Sequence, residues 1–298
     1  MTTTSDQHSV DGDQDNTIEW SRVIGLLIMH LGCIGVIWVG WSWTAVIVAF
    51  LLYLVRAFAI TGFYHRYFSH RAFKTSRWFQ FVGALTGCMA LQKGPLWWAA
   101  HHRTHHRESD QPRDIHSPRK DGFWWAHVGW LFVKRNSGTD TSLIPDWMKF
   151  PELRWIDRNA LLIGVGLAVM LYGAGALLNA FVPQLNTTGP MLLFWGFFIS
   201  TVILYHVTYS VNSITHMFGR QRFKTTDDSR NSFLVSLFTM GEGWHNNHHH
   251  YQSSARQGFF WWEVDFTFYF LIALSKVGLV WDLRPVPEKA LAKNRIDS

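Results

Sequence analysis

Gly241-Glu242-Gly243-Trp244-His245-Asn246-Asn247-His248-His249-His250 sets three histidines, His245, His248 and His249, at i, i+3 and i+4. That spacing puts them on one face of a single helical turn. Neutral imidazoles crowded together have one common physical use, sharing a transition metal. Charged ones would repel each other. The pattern recurs upstream in His102-Arg103-Thr104-His105-His106. A third group, His65-Arg66-Tyr67-Phe68-Ser69-His70, follows an apolar run, and a fourth, Asn212-Ser213-Ile214-Thr215-His216, ends another. Together the groups hold nine of the sixteen histidines. One transition ion takes roughly four to six ligands, so nine suit two ions.

The groups differ in weight. His65 and His70 lie about 140° apart around an ideal α-helix, so they share an ion only if the helix ends or distorts there. Asn212 with His216 alone would signal little, because such a pair often bonds across a membrane bundle. His101 and His250 each extend a cluster by one residue and leave its register open. Isolated histidines in a hydrophobic protein are usually structural donors, the reading given to His30, His116, His127 and His206. Spacing does not choose iron over zinc, copper or nickel, since imidazole suits them all.

Seventeen tryptophans and twenty-three phenylalanines among 298 residues, with sparse charge, point to a membrane protein with aromatic anchors at the interface. Cys33 and Cys88 have no CxxC spacing, so neither a disulfide framework nor thiolate ligation is supported. Residues 1–17 are polar, carry no signal-peptide pattern, and read as a disordered tail. Residues 18–298 read as one membrane domain. Four apolar stretches, about 23–41, 44–63, 160–182 and 191–211, are long enough to cross a bilayer. Short connections make them two helical hairpins in an all-α integral membrane protein. Fifteen Lys and Arg fall in 64–158, ten in 212–298 and none in the hairpin turns. The positive-inside rule then puts both termini and both long segments, with all four histidine groups, in the cytoplasm. Arg56, inside the second span, should snorkel or face protein. Trp78–Met89 and Gly258–Val280 read as interfacial rather than spanning.

The four motifs, with His127-Val128-Gly129-Trp130, closely resemble those of membrane fatty acyl desaturases. The resemblance is to the stearoyl-CoA (delta-9) type without a fused cytochrome b5, and covers about residues 20–280. It implies two ferrous ions at the cytoplasmic membrane face of a bacterial inner membrane. The implied ligands are His65, His70, His102, His105, His106, His216, His245, His248 and His249, with Asn212 engaging one metal through water. In this register His102 is preferred to His101, and His250 is left out. The resemblance also aligns Trp98, Lys134, Arg135 and Tyr209 with substrate-binding positions. Ala100 and His101 stand where animal acyl-CoA desaturases carry Arg-Asp, and Lys93 where they carry Asn, which keeps acyl lipids open beside acyl-CoA.

The implied chemistry suits the ligands. A saturated methylene has no acidity, so only a strong oxidant, such as iron with O2, can remove its hydrogens. Neutral ligands leave the metal charge uncompensated, so nearby acids should bond the outer ring nitrogens. Proximity in sequence nominates Glu108, Asp110, Asp228 and Glu242. Forty-nine residues after His249 are too few for a cytochrome b5 domain, so electrons should come from a separate ferredoxin or cytochrome b5-type donor with its reductase. Fatty acyl substrate, O2 and membrane lipids are the other expected partners, and nucleic acid is not. The nearest alternative is a hydroxylase of acyl, alkane or sterol substrates on the same ligands. A metal transporter would carry its ionisable residues midway through the spans. A bis-histidine haem protein would need His30 and His206 to face each other across the ring. A carboxylate di-iron bundle would need paired Glu-x-x-His motifs, and only Glu242-x-x-His245 fits.

Overall fold

The computed structural model describes residues 16–296. Four helices are long and apolar enough to cross a membrane, Trp20–Val39, Trp43–Ser69, Ala160–Phe181 and Gly189–His216, in the two hairpins expected. Ser42 starts the second span by accepting the Ala45 N–H at 3.1 Å. Its hydroxyl also meets that of Thr187 at 2.7 Å, which ties the two outer turns together. Of the expected disordered tail, residues 1–15 lie outside the described residues. Thr17 is held, its carbonyl accepting the Lys134 N–H at 2.9 Å.

The second and fourth spans run past the apolar stretches read from the sequence, on to Ser69 and His216. At 1.5 Å per residue a helix of 27 or 28 residues approaches about 40 Å, against about 30 Å of hydrocarbon. Hydropathy stops where the histidines begin, but the helices do not. Their polar ends therefore continue beyond the length needed to cross a bilayer, carrying His65, Asn212 and His216 to one end of the helix bundle.

Close packing brings the spans together. Phe198 and Phe194 fill the space over Gly32 and Gly35, where a Cβ would lie 2.2 and 2.1 Å from the rings. Arg56 faces protein. It donates to the hydroxyls of Thr201 and Ser200, both at 2.6 Å, and to the Met89 and Leu52 carbonyls. An unanswered Arg at that depth costs about 2.5–3.5 kcal/mol on insertion scales.

The segments outside the spans are short helices. Arg77–Cys88 buries Gly83, Ala84 and Gly87 against Phe63 and Tyr64 of the second span and exposes Trp78. Gly258–Val280 is helical only over Phe266–Lys276. Trp261 and Trp262 are exposed, while Glu263 and Asp265 turn fully inward. Among the described residues one sheet forms, pairing Lys74–Thr75 with Val280–Trp281, antiparallel.

Candidate metal centre

The second span ends in a π-helix, Ala59–Ser69. Its i→i+5 bonding stacks residues five apart, and the His70 N–H donates to the His65 carbonyl at 3.3 Å. This is the distortion the His65/His70 spacing demanded, and it brings the two ring centroids to 4.9 Å. His102, His105 and His106 ride on helix Pro95–Glu108. That helix starts where Asp157 accepts the Leu96 and Trp97 N–H groups at 2.9 and 3.1 Å. The short helix His245–His250 is pinned from behind by its two asparagines. Asn246 Oδ1 accepts the Arg222 and Phe223 N–H groups at 2.7 and 2.8 Å. Asn247 Nδ2 donates to the Gln257 carbonyl and to Glu263. Gly243 allows the close approach, since a Cβ there would lie 2.1 Å from Ser236 N.

All nine histidines converge, in two groups. His65, His70, His102, His106 and His248 form one, and His105, His216, His245 and His249 the other, with the ligand atoms of each group within 4.8 Å of one another. Each triple splits in the same way: the i, i+4 pair goes to one group and the middle histidine to the other. Nε2 atoms stand close, His65 to His248 at 3.0 Å, His70 to His102 at 2.8 Å and His106 to His248 at 2.9 Å. In the second group His216 and His245 are 3.0 Å apart. Ligands about 2.1 Å from one ion, at right angles, stand about 3 Å from each other. Asn212 lines the cavity that both groups border.

Four carboxylates take the outer ring nitrogens. His216 Nδ1 donates to Asp110 at 2.8 Å, His105 Nδ1 to Asp114 at 3.1 Å and His249 Nδ1 to Asp227 at 2.7 Å. Glu242 pairs with His65 Nδ1. Each such bond fixes the tautomer and leaves Nε2 as a lone pair aimed inward. His105 Nε2 and His249 Nε2 are buried without any partner. Orphaned lone pairs around a common point are a donor set for a cation, so the residues fit a transition metal.

Electrostatics agree. Burial, followed by mutual repulsion, pushes His70, His102, His106, His245, His248 and His249 well below the ordinary imidazole range, so these rings are neutral. For His105 burial acts the same way, but the Asp114 carboxylate outweighs it and the net direction is up. Burial alone would raise Glu242, yet His65 and Arg66 bring it down to about 2. Arg66, itself buried, grips Glu242 and Asp265, both at 2.9 Å. Removing one member of such a buried set costs about 3–5 kcal/mol.

Several sequence expectations need correcting. Glu108 pairs with exposed Arg107, and Asp228 with Arg119, so neither meets a histidine. Asp114 and Asp227 do instead. Both lie in loops, where sequence distance says nothing about direction. Trp98 lines the cavity and stacks on His102 at 4.9 Å. Tyr209 does not line it. Leu204, Val207, Thr208 and Val211 front the cavity, whereas Tyr209 stacks on Tyr205 in the apolar cluster on the other face of the span. Lys134 and Arg135 also lie outside the cavity lining, Arg135 over the Trp125 ring. His30, His206 and His127 form a hydrogen-bonded chain, with Nε2 of His30 and His206 only 2.9 Å apart, which leaves no room for a haem between them. His116 packs its ring 4.3 Å from that of His105. Gln92, missed in the sequence, donates to Thr208 at 3.1 Å beside the cavity.

The cavity is a narrow slot of about 50 Å³ between the second and fourth spans. Ala57, Ile60, Leu204, Val207 and Val211 make it apolar, and His65, His102, His105 and His245 close one end. Fold and site define a class: a four-span helical membrane protein with a twin imidazole metal centre at the end of an apolar slot. A family profile for fatty acid desaturases matches residues 41–273. The chain is 37% identical over 256 residues to a Synechocystis sp. sn-1 stearoyl-lipid 9-desaturase, covering 84% of this chain and 75% of the relative. It is 36% identical over 275 residues to the sn-1 stearoyl-lipid 9-desaturase of Anabaena variabilis, covering 91% and 96%. An Arabidopsis thaliana chloroplast palmitoyl-monogalactosyldiacylglycerol delta-7 desaturase is 37% identical over 254 residues, covering 84% and 64%. The chain belongs to the fatty acid desaturase family.

Proposed function

We propose that this desaturase inserts a cis double bond at the delta-9 position of acyl chains esterified to membrane lipids, using O2 and two external electrons. The observation that carries the reading is the apolar slot ending on both imidazole groups. Two irons, held by His65, His70, His102, His106 and His248 and by His105, His216, His245 and His249 with Asn212, would supply the oxidation that strips two hydrogens from adjacent carbons. The polypeptide's own work is placement. Ala57 and Ile60 on one span face Leu204, Val207 and Val211 on the other, so a saturated chain displaces water and has little lateral freedom. Trp98 and the Gln92–Thr208 bond fix the wall beside the histidines. Asp110, Asp114, Asp227 and Glu242 hold the ring tautomers.

A lipid-linked substrate is supported by residues as well as by the relatives' names. His101 stacks on Trp97 at 4.1 Å, and burial lowers its pKa to about 4, so it offers a nucleotide carrier no charge. Ala100 is buried beside it. We place residues 18–298 in one domain in a bacterial inner membrane. On the distribution of Lys and Arg, termini and metal centre face the cytoplasm, where a separate ferredoxin or cytochrome b5-type carrier would deliver electrons. The test is lipid analysis of a host that makes only saturated chains. Expression should yield cis-9 monoenes in glycerolipids, lost with His248→Ala. A hydroxylated product, or monoenes confined to the acyl-CoA pool, would contradict the reading.

A further inference from the structure

The five-histidine group has two faces. His65 and His102 border the apolar slot. On its other side His70 and His106, both only partly buried, form part of the wall of a separate open cavity of about 450 Å³. Arg103, Arg107, Gln252 and Ser253 complete most of that wall, and its lining contains two guanidiniums and no carboxylate. Arg103 is paired with Asp146 at 2.9 Å and exposed Arg107 with Glu108 at 3.0 Å, and neither acid is among the residues that line the cavity.

On the desaturase reading, each turnover combines two hydrogens from adjacent carbons, two electrons and two protons with one O2 to give two waters. The electrons must come from outside, because Cys33 and Cys88 are free thiols and no other redox pair stands among the described residues. The geometry points to the polar cavity as the docking seat of the electron donor, a soluble one-electron carrier with an acidic rim around its cofactor. The imidazoles of His70 and His106 are the water-facing edge of the metal group, so a carrier seated there is separated from it by one ring. The substrate occupies the opposite side and is not disturbed. Two encounters, each oxidising the carrier by one electron, serve one double bond. The exposed guanidinium sets the sign of the partner's charge.

The test uses the full chain in proteoliposomes with a reduced plant-type [2Fe–2S] ferredoxin as probe. Arg107→Glu and Gln252→Glu, on separate segments, should each weaken binding of oxidised ferredoxin to the proteoliposomes about tenfold, by titration, and raise its KM in step, with kcat within about twofold and metal content unchanged. Gln252→Lys should lower KM, and the wild-type KM should rise with ionic strength. Should Arg107→Glu lose metal through its neighbour His106, Gln252→Glu decides alone. A KM unmoved by Gln252→Glu, or insensitive to salt, overturns the docking site. So does turnover that dithionite supports and ferredoxin does not. Absence of any double bond when dithionite reduces the wild type would instead defeat the desaturase reading beneath it.

Discussion

Asp227 Oδ2 accepts the His249 Nδ1 proton at 2.7 Å, while its neighbour Asp228 turns to Arg119. Adjacent residues in a loop point to opposite sides, so sequence proximity could name the right dipeptide and still choose the wrong acid. Asp110 and Glu242 were legible because each sits within a few residues of a histidine motif. Asp114 was not, because only the fold bends it back onto His105. The carboxylates are also unevenly shared, with Asp110, Asp114 and Asp227 behind the four-histidine group and Glu242 alone behind the five. Removing a carboxylate behind a ligating imidazole typically costs 10–100-fold in metal affinity or activity. Asp227→Asn should therefore lower iron affinity by roughly that factor. Asp228→Asn should stay within about twofold of wild type. Metal titration of the apoprotein checks both, and equal losses would contradict the assignment.

Among the helices, the i, i+3, i+4 spacing announced metal binding but not how each triple divides. An α-helix places i+4 and i+3 on opposite sides of i by similar angles, so two facing centres can each take a share. The π-helical turn is the feature that makes the first motif work, and its signature in sequence was an apparent misfit, two histidines five apart. Deleting Gly62 would return Ala59–Ser69 towards α-helical register and rotate His65 away from His70. The variant should keep its helical content and membrane insertion, seen by circular dichroism and extraction, and hold less than half the wild-type iron. Full iron occupancy in a folded deletion variant would show that the π register is dispensable. Tyr209 was mis-sided for a related reason. One residue's rotation, about 100°, separates it from the cavity-facing Thr208, and composition does not reveal that register.

For the molecule as a whole, the number of spans, their pairing and the gathering of the histidines on one side were legible from hydropathy and charge. The length of the second and fourth spans was not, because their last turns, the ones that carry the histidines, are polar. Those ends carry His65, Asn212 and His216 beyond the apolar stretches, while Ala57, Ile60 and Leu204 of the slot lie within them. If both long segments are cytoplasmic, a cysteine at Gln252 in a Cys33→Ser, Cys88→Ser background should escape a membrane-impermeant maleimide in intact spheroplasts. A cysteine at Gln184, in the outer turn, should react. Labelling of the first and not the second would invert the orientation. The claim on which everything turns is that nine imidazoles hold two irons in one protein. Anomalous scattering at the iron edge from crystals of the iron-loaded protein measures it directly. Two peaks are predicted, one among His65, His70, His102, His106 and His248, the other among His105, His216, His245 and His249. A single peak, or iron elsewhere with these rings left empty, would contradict it.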